Sequence, residues 1–435
     1  MVNRLPPEIL SEIFLFALPL FWGSIRPFGL KLIVSHVCRH WRTICLHTPQ
    51  MWQQIVLNQD EEEDWREDDV EALSEYLRRS AAATLSIDIG AYPPRTSAIW
   101  ALLLAETWRW HTARIVLHDA VEQMVPLAQP LDVPELERVA LTRRSSITQS
   151  FVRPVDLTDN PLRWFQNAPK LRRLSLAWPF FPSAVHVAWG RITHLKLDSE
   201  GSGPTLAITM RQCVDALTHC IALEYLELSA IHFRWGESLP IVEVSTLQTL
   251  LLVSDAIALC RYLSAPQLTR LSLCPNTHPN EDHCEAVIIM ARRQSLRNLR
   301  YLFLCHSLFQ WLHLDPLFEQ LPELIYLHFT HSISWSSGGT TPRVCCIGRL
   351  HALRTLSLLT TEAAWHRGRQ PPRLPELLEG EIGQLSNLEE LHLWNRPEPG
   401  ESPDLDEWTD RQSKRGVNVK RKRGHPPFPD EMDTL

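Results

Sequence analysis

Among side chains able to act as nucleophile, base or metal ligand, His283 beside Cys284 comes nearest to a thiol and imidazole pair, and Cys345 with Cys346 to a thiol pair. A nucleophilic cysteine needs an oriented base and a cleft, and adjacency in sequence supplies neither. The ten cysteines include no CxxC pair, and the chain has no Walker loop, GxGxxG, HExxH or GxSxG. Each of those would place a phosphate, a zinc ion or a nucleophile. The expectation is a non-enzymatic chain without cofactor or metal. What remains is the chemistry of recognition, carried by large aromatic side chains that dominate interface energies. Tyr301, Phe303, Tyr326 and His328 form such a set at two-residue spacing.

The elements that position these residues follow from length and periodicity. At 435 residues the chain exceeds the size at which one core keeps growing, so several domains or a repeat array are expected. The formal charge of -7 calls for no nucleic acid. The apolar run from Ile13 to Trp22 is interrupted by Pro19, so neither a membrane span nor a signal peptide is read there. Cysteines scattered through apolar segments suit reduced thiols in the cytoplasm or nucleus.

Ten segments fit the pattern LxxLxL with apolar substitutions: PELERVAL, PKLRRLSL, GRITHLKL, IALEYLEL, STLQTLLL, PQLTRLSL, RNLRYLFL, PELIYLHF, HALRTLSL and SNLEELHL. From Leu136 to Leu388 their first apolar residues recur every 28 residues on average. That is the range of leucine-rich repeats. Weaker units at Leu85 and Ile115 bring the expected number to twelve. The last two leucines of each unit share one face of a short strand, and the stretch between units is long enough to return as helix or loop. Pro134, Pro169, Pro266 and Pro322, two positions before the first leucine, are expected to end the returning helix. The array resembles leucine-rich repeats without their regular asparagine.

The first sixty residues follow another rule. RLPPEILSEIFLFAL has prolines at a helix start and helical spacing of Ile9, Leu10, Ile13 and Phe14. KLIVSHVCRHWRTICLHTP reads as a second helix with Ile33, Val37, Trp41 and Ile44 on one stripe, followed by a short turn at Met51 and Trp52. So few residues bury little surface, and the exposed apolar side chains need a partner. The run LPPEILSEIF, then VCRHWR, TPQMW and IVL, resembles the F-box. That resemblance implies binding to a Skp-type adaptor and, through it, a cullin scaffold. It carries Leu5, Pro6, Ile9, Leu10 and Ile13 to the adaptor-facing part of the first helix, and Val37, Cys38 and Trp41 to that of the second. FWGSIRPFGLK, between the two helices, is longer than the family's loop.

Residues 59–71 carry nine acidic side chains, a self-repelling block that reads as a solvated linker or an acidic docking patch. The order of F-box, acidic stretch, helix ending in RRS, and strand resembles a class of fungal F-box proteins with irregular leucine-rich repeats.

The expected organisation is α/β: an F-box-like three-helix segment over 1–58, connector and helix over 59–82, a solenoid over 83–395, and a disordered charged tail over 396–435. Parallel strands are expected on the concave face, with helices or loops on the convex one. Within the tail, Lys414, Arg415, Lys420, Arg421, Lys422 and Arg423 read equally as a nuclear-import signal or a solvated basic segment. Residues interleaved with the leucines should form exposed columns: Arg138, Arg173, His194, Lys196, Tyr225 and Glu227 early, then Leu251, Val253, Tyr301, Phe303, Tyr326 and His328. The aromatic columns are the expected target-binding site. Function as a substrate-recognition adaptor of a ubiquitin ligase follows from the resemblance. The alternative is a ligase-independent scaffold whose N-terminal helices cap the array.

Overall fold

The computed structural model describes residues 5–17, 30–57, 67–90, 97–117, 126–143, 161–177, 180, 182–198, 208–229, 231, 238–274, 281–294, 296–304, 315–331, 347–360, 382, 385–394 and 403–422. The fold is mixed α/β and built on parallel strands. It divides into two compact units, Met1–Ile208 and Thr209–Leu435.

The first unit opens with α1 (Pro7–Ala17), α2 (Leu30–Val37), α3 (Arg39–His47) and a 3-10 turn at Pro49–Trp52. The second helical pattern was expected to be continuous, but it breaks at Cys38. Cys38 is extended, with φ -160°, and its Sγ accepts from the Trp41 amide at 3.4 Å, so it caps α3. The break separates Val37 from Ile44, which lies in the core. Thiol sulfur is a weak acceptor, and hydroxyls are strong N-caps. Cys38→Ser is therefore expected to stabilise the segment by about 0.5–1 kcal/mol, read as a higher denaturation midpoint.

Strands β1 (Gln54–Leu57), β2 (Leu85–Ile89), β3 (Trp110–Leu117), β4 (Arg138–Arg143), β5 (Arg173–Ala177) and β6 (His194–Asp198) follow in sequential parallel order. Between β1 and β2 lies α4 (Glu67–Ser80), which takes Glu67, Asp68, Asp69 and Glu71 of the acidic block into its first turns, where the helix dipole favours them. Between β2 and β3 lies α5 (Ser97–Ala105).

The second unit contains α6 (Met210–Leu217), β7 (Tyr225–Ser229), β8 (Val242–Glu243), β9 (Thr249–Val253), β10 (Leu263–Ser264), β11 (Arg270–Cys274) and α7 (Glu281–Gln294). It continues with β12 (Tyr301–Leu304), α8 (Asp315–Phe318), β13 (Tyr326–His331), β14 (Thr355–Thr360), β15 (Glu390–Trp394), α9 (Pro403–Lys414) and β16 (Asn418–Lys422). Its sheet runs β7, β9, β11 to β16, all parallel, and β8 pairs with β10.

All ten LxxLxL segments form strands, as do the units at Leu85 and Ile115. Four strands lie outside those twelve: the short pair β8 and β10, and β1 and β16 at the two ends of the order. β1 is the IVL run that ends the helical segment. β16 comes from the basic tail, which corrects the expectation of disorder over 403–422: α9 leads into Gly416, at φ +89°, and then into the strand. Only glycine adopts that φ without strain.

Each repeat is set by a turn. Backbone bonds Leu136 N to Val133 O, Leu171 N to Ala168 O, Leu268 N to Ala265 O and Leu324 N to Leu321 O, at 3.1–3.3 Å, close four-residue turns with proline second. Proline is favoured there because its φ is fixed at the turn value. The prolines thus shape turns and do not end helices as expected. The turn places the first leucine in the core, and the next residue's carbonyl receives two amides of the following repeat, as Gln248 O does from Thr269 and Arg270.

Candidate protein-binding site

On α1, Ile9, Ile13 and Phe16 fall within one narrow sector by helical spacing, with Leu5 just before it, while Leu10 and Phe14 lie on a different face. Leu10 and Phe14 form the core of the segment with Val34, Ile44, Cys45, Met51 and Trp52. Ile9 is 49% exposed and Phe16 94%, and Val37, at the end of α2, is 57% exposed. Of the eight residues expected to face an adaptor, Leu5, Pro6, Ile9, Ile13 and Val37 are exposed and Cys38 is half-buried. One needs correction. Leu10 is completely buried, while Trp41 is half-buried and packs on Phe14 with ring centroids 4.8 Å apart. Both hold the segment together. Phe16 was missed, although the step from Ile9 and Ile13 leads to it.

The exposed stripe is held on a rigid base. Trp52 meets Tyr76 of α4 edge-on at 4.9 Å, and the Arg79 guanidinium lies 4.5 Å over the Trp52 ring. Glu75 holds both Arg78 and Arg79, and those bonds pull its carboxyl down to about 2. β1 adds its backbone directly to β2.

The expected aromatic site lies in the second unit. Register places Tyr301 beside Tyr326 and Phe303 beside His328 on the interleaved face. Tyr326 lies 6.2 Å from Tyr301 and 5.1 Å from Phe303, which is 5.9 Å from His328, and Arg270 covers Tyr301 at 5.2 Å. The residues come together as expected, but not on an open surface. His328 is 1% exposed, Phe303 is buried, and Tyr301 and Tyr326 are half-buried. Leu251, Ser272, Ser357 and His392 on the same face are buried too. The row instead forms a polar core. Ser357 Oγ accepts from Trp394 Nε1 at 2.9 Å and lies 2.9 Å from His328 Nδ1. Burial, reinforced by His392, pushes the His328 imidazole down to about 4. Glu390 joins Lys420 and His392, which hold its carboxyl below the usual range.

The corresponding face of the first unit is less closed. Burial alternates strictly along β5 and β6, with Arg173, Ser175 and Ala177, then His194, Lys196 and Asp198, all half-buried between buried leucines. Arg138 and Arg114 are exposed. This is the early basic column of the sequence.

His283 is buried on α7, with Nε2 3.6 Å from Asp255 Oδ1; the Cys284 side chain and Cys345 with Cys346 lie outside the described residues. Among the described residues, no cluster of His, Cys, Asp and Glu could hold a metal ion, and no helix is long and apolar enough to cross a membrane.

No model of a known protein family matches the chain, and no curated protein matches its sequence. The class the fold defines is a mixed α/β protein of parallel, turn-started repeats with a helical N-terminal segment.

Proposed function

We propose that the chain is the substrate-recognition adaptor of a Skp–cullin–F-box type ubiquitin ligase. The N-terminal helices act as an F-box that docks on a Skp-type adaptor, and the irregular leucine-rich-repeat array holds a target protein near the ubiquitin-loaded enzyme. Such proximity raises effective concentration without chemistry by this chain. The protein would then work in the cytoplasm or nucleus, and nuclear import could use the basic residues around Lys420. The carrying observation is the division of labour on α1: Leu10 and Phe14 complete the core, leaving Ile9, Ile13 and Phe16 as an apolar stripe with no internal use. Such a stripe on a small rigid segment is a binding surface.

A second reading has one observation in its favour. β1 continues the sheet as its first strand, so the helical segment is tied to the array, as the cap of a ligase-independent scaffold would be.

The deciding experiment is capture of a purified Skp-type adaptor by the full chain and by Ile9→Asp/Ile13→Asp. Both side chains are about half exposed, so the melting temperature should hold while affinity falls about a hundredfold or more. Capture unaffected by the substitutions, or absent with the wild type, leaves the scaffold.

A further inference from the structure

We propose that the fold holds its C-terminal basic cluster out of reach of a nuclear-import receptor, and that the cluster is read only when β16 leaves the sheet. This rests on the nuclear-import reading of the residues around Lys420 and adds its regulation.

Successive residues of an extended chain face opposite sides, so a receptor that meets a run of cations must reach both sides of the backbone. In β16 it cannot. The strand pairs with β15 over Asn418–Lys422, and Val419 stands in register with Leu391, which is fully buried. Lys420 is held by Glu390, which also meets His392 Nε2 at 2.9 Å. What reads in sequence as a free basic run is engaged by its own sheet.

The attachment is weak. β16 stands last in the sheet order, and its consecutive Lys420, Arg421 and Lys422 repel one another and include poor strand formers. α9 turns into β16 through a Schellman motif: Gly416 N bonds Ser413 O at 3.0 Å and Val417 N bonds Gln412 O at 3.2 Å. An apolar contact commonly joins the two residues that stand where Gln412 and Val417 do. Here one of them is an amide. Gln412 is 1% exposed, and among the described residues neither its Oε1 nor its Nε2 has a hydrogen-bond partner. A buried polar group left unpaired works against the packing that carries it. The docked strand is opposed from within, so a receptor with affinity for the freed run alone draws it out.

The test compares the full chain with a peptide of residues 414–424 for binding to a purified importin-type receptor for short basic signals. Amide exchange over 417–422 is followed alongside. The full chain is expected to bind at least about tenfold more weakly than the peptide, because only the fraction with β16 released is competent. Gln412→Leu, which touches no basic residue, should weaken the full chain's binding by about fivefold or more and slow the exchange. Val417→Asp, which puts a charge at a buried position, should raise affinity toward that of the peptide and speed the exchange, with the melting temperature of the array held. The proposal is overturned by a full chain that binds as tightly as the peptide, or by Val417→Asp freeing the amides without raising affinity. A peptide that does not bind removes the import reading and the proposal with it; a peptide that binds no better than the chain removes the sequestration alone.

Discussion

Arg109→Met is expected to destabilise the first unit by about 3–5 kcal/mol, more than truncating any surface charge. Arg109 is buried, yet its guanidinium spends four N–H groups on identified acceptors: Nε on Glu106 at 2.7 Å, Nη1 on Ser80 Oγ at 2.8 Å and on Ala83 O at 2.9 Å, and Nη2 on Leu77 O at 3.2 Å. Two of these acceptors, Leu77 O and Ser80 Oγ, belong to the C-terminal end of α4, where helical carbonyls lose their internal partners, and Ala83 O lies three residues beyond it. Ala81 there adopts φ +46°, so the chain turns away abruptly and nothing else in the helix can replace the arginine. Methionine fills the volume but leaves the carbonyls of Leu77 and Ala83 buried without this donor. Urea denaturation gives the magnitude, and amide exchange at the end of α4 gives the place. A loss below about 1 kcal/mol would mean that water takes over the guanidinium's bonds.

The second large effect is on pH dependence. His328 has its folded pKa at about 4, against an unfolded value of 6.5. Between these values the unfolded chain takes up a proton that the folded chain refuses. Stability from this residue is therefore full above about pH 6.5, falls as the pH drops toward 4 and is flat below. Over that window the loss is about 3 kcal/mol. His328→Leu removes the titrating group, so the difference in stability between variant and wild type should move in the variant's favour as the pH falls from neutral to 4. The carboxylates of Glu390 and Glu75, whose pKa values are depressed, lose their contribution at more acidic pH and are common to both proteins. Parallel curves for the two proteins would show that His328 is reached by solvent and carries no such burden.

The strands were legible because LxxLxL states a period of two in five residues, and every such segment forms one. The helical N-terminus was legible for the same reason at a period near 3.6. The break at Cys38 was not, since helical spacing runs straight through it, and a cap depends on one φ angle. The closed aromatic face was misread by treating all strands alike. RLSLA and HLKLD alternate leucine with small or polar residues and have one half-buried face, whereas TLLLV and YLFL are nearly continuous runs of apolar side chains. Continuous apolar strands are those buried on both faces. That contrast stood in the sequence, and it separates Arg138 and Arg173 from Phe303 and His328. β16 was hidden by its charge: Val417 and Val419 alternate correctly, but Lys420, Arg421 and Lys422 outweigh them in composition.

The separation between successive first leucines ranges from 21 to 35 residues, yet the ten repeats begin with the same closed turn, and within each unit a repeat passes its carbonyl to the next. Length variation therefore falls between strand and turn, where loop closure costs only slowly more as residues are added. A gene encoding such a chain can gain or lose codons in those intervals while its neighbouring strands keep their pairing, so lineages should differ in the size of their repeats long before they differ in the order of their strands.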